Sequence, residues 1–273
     1  MKILERFSLK GKVVVITGGT GVLGYSFVKA LAEAEARICI VGRSAEKCAE
    51  RVALAESLGA EAFYVLADVL DEQSMIAAKD TIVARWGTID SLVNAAGGNI
   101  PGATIGPDQD IFDGKITDTI KAIELNLYGT IVPTMVLGEV IAKNGKGSIV
   151  NISSLTANKP FTRVLGYTVA KHGIDGFTKW MAAELALRYS DKIRVNAIAP
   201  GVFLTDQNRA LLINTEGNYS DRAQRIVNNT PFSRLGDPAE LEGALIYLLS
   251  DAASFVTGET LFVDGGFNSW SGV

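Results

Sequence analysis

VVVITGGTGVLG, residues 13–24, is the stretch that decides the fold. Its apolar first half predicts a β-strand, and the residues after the glycines have the spacing of a helix. Glycines between the two let the backbone approach a pyrophosphate at the helix N-terminus. Gly19, Gly21 and Gly24 also satisfy the G-x-G-x-x-G pattern. Such a run can be no more than a tight turn, but its place in the first strand–helix unit favours dinucleotide binding.

Strand and helix patterns alternate along most of the chain. The predicted strands are Val13–Thr17, Arg37–Val41, Glu61–Ala67, Ile89–Asn94, Ser148–Ser153, Lys192–Ile198 and Thr260–Val263. The predicted helices are Val22–Glu33, Ala45–Ser57, Asp71–Arg85, Ile116–Lys143, Val164–Arg188 and Pro238–Leu249. Strand cores such as VVVIT are apolar without alternation, as expected when helices cover both faces of a parallel sheet. The pattern predicts an α/β fold, a doubly wound Rossmann sheet of about seven parallel strands.

No linker or internal repeat divides the chain, so we expect a single domain over residues 1–273. Residues 98–114 and 206–235 lack strong periodicity and follow strand ends on the side where open α/β sheets bind ligands. We therefore expect both stretches to be substrate loops.

Composition restricts the partners and the compartment. The net charge is −4, and no run of basic residues suggests a nucleic-acid surface. No apolar run reaches the roughly 18 to 20 residues that span a bilayer, and the N-terminus lacks the apolar core of a secretory signal. Two cysteines, Cys39 and Cys48, offer no disulfide framework. We expect a soluble cytoplasmic protein with a small-molecule substrate and no membrane or nucleic-acid partner.

The end of the second predicted strand bears on the choice of coenzyme. Sites that prefer NAD place an acidic residue there for the ribose 2′-hydroxyl, but this protein has Val41-Gly42-Arg43-Ser44. A guanidinium suits a 2′-phosphate because of its planar fork of donors. Arg43 therefore favours NADP(H) over NAD(H), and the alternative is a solvated surface arginine.

Tyr167 and Lys171 begin a long predicted helix at i, i+4 spacing, which places phenol and ammonium on one face. A nearby ammonium favours the phenolate, so we expect Lys171 to lower the pKa of Tyr167 toward working pH. That is the requirement for a general acid/base acting on an alcohol or ketone. Tyr25 and Lys29 repeat the spacing behind the glycine loop, where a packed tyrosine and a solvated lysine suffice. Only the Tyr167 copy has serines at a preceding strand end, Ser153 and Ser154.

Together these motifs resemble the classical short-chain dehydrogenase/reductase family across nearly the whole sequence. The residues that carry the resemblance are Thr17–Gly24, Asp68, Val69, Asn94–Gly97, Asn126, Ser154, Tyr167, Lys171, Pro200, Gly201, Thr205 and Thr257–Gly266. One departure is Val22, which stands where the usual family loop has glycine, while Gly21 comes one place early. We expect a slightly altered pyrophosphate loop that still binds.

The resemblance implies roles for individual residues. Tyr167 would exchange the proton, Ser154 would polarise the carbonyl, and Lys171 would bind the nicotinamide ribose and tune Tyr167. Asn126 would help to hold a water relay behind Lys171. Ser154 is preferred to Ser153 because its offset to Tyr167 matches the usual family spacing. The implied cofactor site consists of Gly18, Gly19, Thr20, Gly21, Val22, Leu23, Gly24, Arg43, Ser44, Asp68, Val69, Asn94, Ala95, Ala96, Gly97, Tyr167, Lys171, Pro200, Gly201, Val202 and Thr205.

A metal site is not expected. His172 is the only histidine, so neither a Ser–His triad nor a multi-histidine centre is available. The acidic residues Asp108, Asp110 and Asp113 lack a regular ligand pattern, and a solvated loop is the simpler interpretation.

The loop NAAGGNIPGAT, residues 94–104, gives an indication of the substrate. It resembles the corresponding loop of the D-mannonate oxidoreductases within this family, which are also called fructuronate reductases. The resemblance implies a sugar acid, with Asn99 and Thr104 contacting hydroxyls. Among the basic residues that could pair the carboxylate, or simply face solvent, are Lys159, Arg163 and Arg209.

Two alternatives stay open. One is a ketoreductase for another polyol, keto-sugar or acyl substrate, and the other is a non-catalytic protein that senses dinucleotides. Classical relatives are commonly tetramers or dimers, so a homotetramer or homodimer is expected.

Overall fold

The computed structural model describes residues 2–271, and its seven strands form one parallel sheet in the order β3-β2-β1-β4-β5-β6-β7. The strands are β1 Val13–Thr17, β2 Arg37–Gly42, β3 Ala62–Leu66, β4 Ser91–Asn94, β5 Gly147–Ile152, β6 Ile193–Pro200 and β7 Thr260–Val263. The strand order reverses between β1 and β4. In open α/β sheets ligands bind outside the carboxyl ends of the strands at such a switch point, so the fold itself indicates where the site lies.

Helices flank the sheet. They are α1 Val22–Glu33, α2 Ala45–Ser57, α3 Glu72–Trp86, α4 Ile116–Ile123, α5 Gly129–Asn144, α6 Leu165–Arg188, α7 Asp206–Leu212, α8 Asp221–Asn228 and α9 Glu242–Leu249. The bounds of α1, α2 and β7 coincide with those predicted, and the predicted doubly wound sheet is confirmed.

The core lies on both faces of the sheet. Val14 and Ile16 of β1 point into the cluster beneath α1 and α9, whereas Val13 and Val15 point into the cluster beneath α3 and α5. Successive side chains of a strand face opposite sides, and here both sides are covered. This explains why the strand sequences are apolar without alternation.

The prediction of one continuous helix over Ile116–Lys143 is wrong in one respect. A π-helical turn, Glu124–Tyr128, separates α4 from α5. A π turn adds one residue to the helical ladder and is frequent at functional sites. Here it carries the fully buried Asn126. Apolar residues stand on both sides of this turn, and no glycine–proline pair or capping side chain marks it, so the sequence is interpreted as one helix.

The same helical stretch corrects the expectation that no apolar run reaches membrane-spanning length. Ile116–Asn144 is long and apolar enough to cross a bilayer by length and composition, with a mean hydropathy of 1.4. However, 56% of its most apolar window is buried inside the protein. α5 packs on α3 and β4, as the core helix of an α/β domain does.

The two predicted loops differ in structure. Residues 98–114 contain only short 3₁₀ turns, at Pro101–Ala103 and Ile111–Asp113. Residues 206–235 instead contain α7 and α8, which the sequence analysis does not predict. Ala223 and Val227 of α8 lie one turn apart and bury against Leu212 and Leu235. This stretch is therefore a small helical lobe with its own apolar cluster.

Candidate active site

The glycine loop between β1 and α1 approaches β4 by its backbone alone. Gly18 has a φ of +68°, and a Cβ there would lie 2.4 Å from the carbonyl carbon of Ala95. A Cβ on Gly24 would lie 2.4 Å from the carbonyl oxygen of Gly18. Any side chain at either position would close the space beside the α1 N-terminus. The loop therefore forms a backbone cradle of the kind that a pyrophosphate requires.

Val22, which stands where the usual family loop has glycine, fits without distorting the backbone of the loop. Gly21 caps α1 with extended backbone angles (φ −74°, ψ 177°), and Val22 is the first residue of the helix. Neither position needs a left-handed conformation. The valine therefore leaves the cradle made by Gly18 and Gly24 intact.

A cleft opens at the switch point, between the ends of β1, β2, β3 and β4. It is lined by Gly18, Thr20, Gly21, Val41, Gly42, Arg43, Ala67, Asp68, Val69, Ala95, Ala96, Gly97 and Leu125. Most of these residues belong to the predicted cofactor site. Four lining residues were not predicted. Val41, Gly42 and Ala67 lie at, or directly after, the ends of predicted strands, and Leu125 is brought into the cleft by the π turn. Glycine cradle and cleft together fit a dinucleotide.

Arg43 stands at the rim of this cleft. Its side chain is 73% exposed, and its Nη1 lies 4.0 Å from Oδ2 of Asp68. An exposed pair at this distance is a weak interaction, so the guanidinium is available to a ligand. Ser44 has a local role, because its Oγ accepts a hydrogen bond from the backbone N–H of Lys47 at 3.4 Å and caps α2.

Other predicted cofactor residues occupy the same edge of the sheet. Pro200 ends β6, and the N–H of Gly201 donates to the carbonyl of Val263 at 2.9 Å. Val202 lines a second, smaller cleft, and Thr205 caps α7. Buried Gly19 and half-buried Leu23 pack toward the α1 core.

Asn94 does not line the cofactor cleft with its side chain, contrary to the prediction. The amide is buried and its Nδ2 donates to Thr134 Oγ1 and to Asn151 Oδ1, each at 2.8 Å. The Asn151 amide in turn donates to Thr178 Oγ1 at 2.9 Å. A strand-end asparagine in sequence looks like a ligand contact, but here it joins β4 and β5 to the helices α5 and α6.

The predicted catalytic side chains converge at the N-terminal turn of α6. The phenol of Tyr167 has a hydrogen-bond interaction with Ser154, directly after β5. The ammonium of Lys171 is buried and donates to the carbonyl of Ile152 at 2.7 Å. Its Nζ lies over the Tyr167 ring, 5.3 Å from the centroid. Ser154, Tyr167 and Lys171 thus form one cluster beside the switch point.

The predicted effect of Lys171 on Tyr167 is not observed. The pKa of Tyr167 is raised, because burial disfavours the phenolate, and the hydrogen bond from Ser154 offsets this only in part. Burial also lowers the pKa of Lys171 to about 8, with the charge of Asp175 acting in the opposite direction. A sequence shows the spacing of the two groups but not the loss of water around them.

The two adjacent serines have different partners. Ser153 Oγ donates to Asp175 Oδ1 at 2.5 Å, while Ser154 interacts with Tyr167. The preference for Ser154 over Ser153 therefore has a structural basis. Ser154 Oγ also accepts a hydrogen bond from the N–H of Thr156 at 3.2 Å, which fixes the hydroxyl.

Asn126 holds the loop that follows β4. Its Nδ2 donates to the carbonyl of Gly98 and its Oδ1 accepts from the N–H of the same residue, both at 2.9 Å. A Cβ on Gly97 would lie 2.7 Å from Asn126 Oδ1 and 3.7 Å from Lys171 Nζ. Gly97 therefore allows Asn126 and Lys171 to approach the loop closely.

The predicted substrate residues are dispersed around the cluster. Asn99 is exposed, Lys159 is half-buried, and Thr104 Oγ1 donates to the carbonyl of Ile100 at 3.4 Å. Arg209 is exposed on α7 and makes an interaction of its own within the protein.

Arg163 is held by two hydrogen bonds to Ile105. Its Nε donates to the carbonyl of Ile105 at 2.6 Å, and its own carbonyl accepts from the N–H of Ile105 at 2.9 Å. The residue has a φ of +81°, an uncommon conformation for an arginine. Arg222 of α8, which the sequence analysis misses, is half-buried, and its pKa is lowered by burial and by the charge of Arg163. No sequence motif marks Arg222.

Tyr25 and Lys29, which repeat the spacing of Tyr167 and Lys171, make packing and ion-pair contacts on the surface of α1. Lys29 lies 3.3 Å from Glu33 and 3.6 Å from Glu242, and Tyr25 lies beneath the guanidinium of Arg51. His172 is exposed, and its Nδ1 lies 2.9 Å from the carbonyl of Thr168.

Comparison with known proteins places the chain among oxidoreductases. The family model described as enoyl-(acyl carrier protein) reductase matches residues 20–268. An uncharacterized oxidoreductase of Bacillus subtilis, UxuB, is 40% identical over 97% of this chain and 98% of its own length.

Two solved structures share the whole fold. A protein from Haemophilus influenzae, provisionally named a D-mannonate oxidoreductase and solved with bound NAD, is 36% identical with a TM-score of 0.90, covering 97% of this chain and 98% of its own. A gluconate 5-dehydrogenase from Burkholderia cenocepacia, in complex with NADP and tartrate, is 34% identical with a TM-score of 0.86, covering 98% of this chain and 100% of its own.

Proposed function

The chain belongs to the short-chain dehydrogenase/reductase family, and from that premise we propose that Tyr167 is the proton-transfer residue of an oxidoreductase acting on a sugar acid. The enzyme uses a nicotinamide dinucleotide and acts on alcohol groups. The observation that carries the proposal is the Ser154–Tyr167–Lys171 cluster beside the switch-point cleft.

The chemistry divides between coenzyme and protein. When bound, the nicotinamide ring supplies or accepts the hydride. In the reductive direction Tyr167 gives its hydroxyl proton to the carbonyl oxygen as the carbon takes up hydride, and in oxidation the proton returns. Ser154 donates a hydrogen bond to that oxygen as charge develops on it. Lys171 holds the ribose and supplies positive charge, and Asn126 fixes the loop through Gly98.

The coenzyme proposal extends to the residues around the cleft. The predicted cofactor residues, apart from the side chain of Asn94, would contact or shape the dinucleotide. We propose a preference for NADP(H), because Arg43 is exposed at the rim and its acidic neighbour, Asp68, is only at the limit of ion-pair distance. A bidentate guanidinium–phosphate contact would then discriminate in favour of the 2′-phosphate.

A sugar acid of the D-mannonate/D-fructuronate type is the proposed substrate. Residues 98–114 and 206–235 would form its pocket, with Asn99 and Thr104 contacting hydroxyls. Arg163 is the strongest candidate for the carboxylate, ahead of Lys159 and Arg209, because Ile105 fixes its orientation and Arg222 adds a second positive charge. Related enzymes support an acidic substrate, since the Burkholderia gluconate 5-dehydrogenase was solved with tartrate.

The test is a turnover panel followed spectrophotometrically at the coenzyme absorbance. D-Fructuronate, 5-keto-D-gluconate, an uncharged keto-sugar and an acyl ketone are each offered with NADH and with NADPH. We expect the keto-sugar acids to be reduced fastest. Brisk reduction of an uncharged ketone with no reduction of D-fructuronate would refute the sugar-acid proposal and favour the other ketoreductase class. Coenzyme binding without turnover of any compound would favour a dinucleotide sensor.

Composition and family membership bear on assembly and location. We propose a cytoplasmic homotetramer or homodimer. Cys39 and Cys48 are free and buried, which suits a reducing compartment.

A further inference from the structure

The strand end that carries Ser154 is attached to α6 at three consecutive residues. Lys171 Nζ donates to the carbonyl of Ile152 at 2.7 Å, Ser153 Oγ donates to Asp175 Oδ1 at 2.5 Å, and Ser154 interacts with Tyr167. The α6 residues stand at i, i+4 and i+8, one turn apart on one face of the helix. Asp175 is the member of this row that the proposed reaction does not use.

Asp175 lies between hydroxyl groups from the sheet and titratable groups of its own helix. Ser153, directly after β5, donates a hydrogen bond to Asp175 Oδ1, and Thr260 of β7 lies close enough to lower the pKa of the carboxyl group. The titratable groups near it are Lys171, His172 and Lys179. Burial raises the pKa of Asp175, and the two hydroxyls act against this. The carboxylate is therefore stabilised by donors rather than by bulk water.

Asp175 stands one helical turn after Lys171 on the same face of α6, so its carboxylate lies near the buried ammonium. Burial lowers the pKa of Lys171 to about 8, and the negative charge of Asp175 is the cause that raises it. With the carboxylate neutral, burial would act unopposed and Lys171 would lose its proton at a lower pH. The ionised form of Lys171 is the one proposed to bind the ribose and to supply positive charge beside the Tyr167 ring.

We propose that Asp175 is a positioning residue that keeps Lys171 charged and holds Ser153 away, so that Ser154 alone faces Tyr167. The proposal rests on the proposed roles of Tyr167 and Lys171. A purely structural role would consist of accepting the Ser153 hydrogen bond, for which an uncharged acceptor serves equally well. The two roles therefore differ in whether the charge matters.

Asp175→Asn tests the charge, because asparagine keeps the shape and an oxygen that can accept from Ser153. In the reductive direction activity falls as Lys171 deprotonates, so a lower lysine pKa moves the alkaline limb of kcat to lower pH. We expect a displacement of about one pH unit, the lower end of the usual effect of one opposite charge. Near pH 6 the variant should approach the wild-type rate. Asp175→Glu, which restores the charge, should recover most of the displacement.

Coenzyme binding supplies a readout that needs no substrate. The dissociation constant of NADPH can be measured by fluorescence between pH 6 and pH 10. As pH increases, this constant should begin to rise at a lower pH in Asp175→Asn than in the wild type. Ser153→Ala is the matched control, since it removes the hydrogen bond and leaves the charge. Its two profiles should keep the wild-type midpoints.

Identical midpoints in Asp175→Asn and the wild type would overturn the proposal, as would an equal displacement in Ser153→Ala. If no panel compound is turned over, the proposed function fails, and the NADPH profile alone decides the role of Asp175. Asp175→Ser removes the same charge with a smaller side chain if the asparagine variant is poorly folded.

Discussion

The ammonium nitrogen of Lys171 lies over the Tyr167 ring, 5.3 Å from its centroid, and hydrogen-bonds to the carbonyl of Ile152. In this arrangement burial dominates, and the pKa of Tyr167 is raised. The folded protein therefore keeps the phenol protonated at neutral pH. A protonated phenol is ready to act as the acid in carbonyl reduction.

Tyr167→Phe removes the proton donor and leaves the ring. We expect kcat for reduction to fall by about 10² to 10⁴-fold, the usual contribution of a positioned acid or base. The NADPH dissociation constant, measured by fluorescence, should change little. Turnover at near wild-type rates would show that the assignment of Tyr167 is wrong.

Ser154→Ala removes the hydrogen bond that Ser154 is proposed to donate to the reacting oxygen. Loss of one such donor typically costs about 10² to 10³ in kcat. Ser153→Ala serves as the neighbouring control, because its hydroxyl is bonded to Asp175, and its loss in kcat should be at least about ten times smaller. Equal losses in steady-state kcat would contradict the separate roles of the two serines.

Lys171→Met should alter how stability depends on pH. The pKa of Lys171 is about 8 when folded and returns to its ordinary value of 10.5 on unfolding, so the unfolded state binds more protons between these values. Wild-type stability should therefore rise with pH across this window, by about 3 kcal/mol at most. The methionine variant should lack this rise. Urea unfolding at pH 7.5 and pH 10.5 measures the difference, and parallel changes in both proteins would contradict it.

Arg163→Met should raise KM for a keto-sugar acid while leaving an uncharged ketone unaffected. A hydrogen bond to a charged group is worth about 1.5 to 3 kcal/mol, or about 10 to 100-fold. Arg222→Met should act in the same direction. Arg225→Met is the matched control, because Arg225 is an exposed residue of the same helix. An equal rise in KM for charged and uncharged ketones would rule out carboxylate recognition.

Arg43→Ser should abolish discrimination between the coenzymes. We expect KM for NADPH to rise by about 10 to 100-fold as one charged phosphate contact is lost, with little change for NADH. Lys47→Met, an exposed change on α2, is the control and should leave both values unchanged. A wild-type enzyme that uses NADH and NADPH equally well would refute the preference.

Sequence reasoning succeeded where a local pattern determines the structure. The helices α1 and α2 and the strand β7 have the predicted bounds because their periodicity and flanking residues agree. The Ser154–Tyr167–Lys171 cluster was also predictable, since family spacing fixes which residues meet.

The remainder depended on information that a sequence does not carry. α8 has only eight residues and buries only Ala223 and Val227 among them, so the segment is too short for its periodicity to identify a helix, although Ser220 is a recognisable cap. The role of Asn94 and the raised pKa of Tyr167 both follow from burial. Arg222 comes near enough to Arg163 for the charge of Arg163 to lower its pKa, and this proximity depends on the position of α8, which no sequence motif marks.

The paired hydrogen bonds between Asn126 and Gly98 have an evolutionary consequence. They hold the backbone at the start of residues 98–114, the loop proposed to contact the substrate, from a π-helical turn that borders the switch-point cleft. Insertions and replacements after Gly98 can therefore accumulate without shifting the reacting groups out of register. A single ancestral scaffold can in this way be reassigned from one metabolite to another by remodelling a segment that begins at one fixed point.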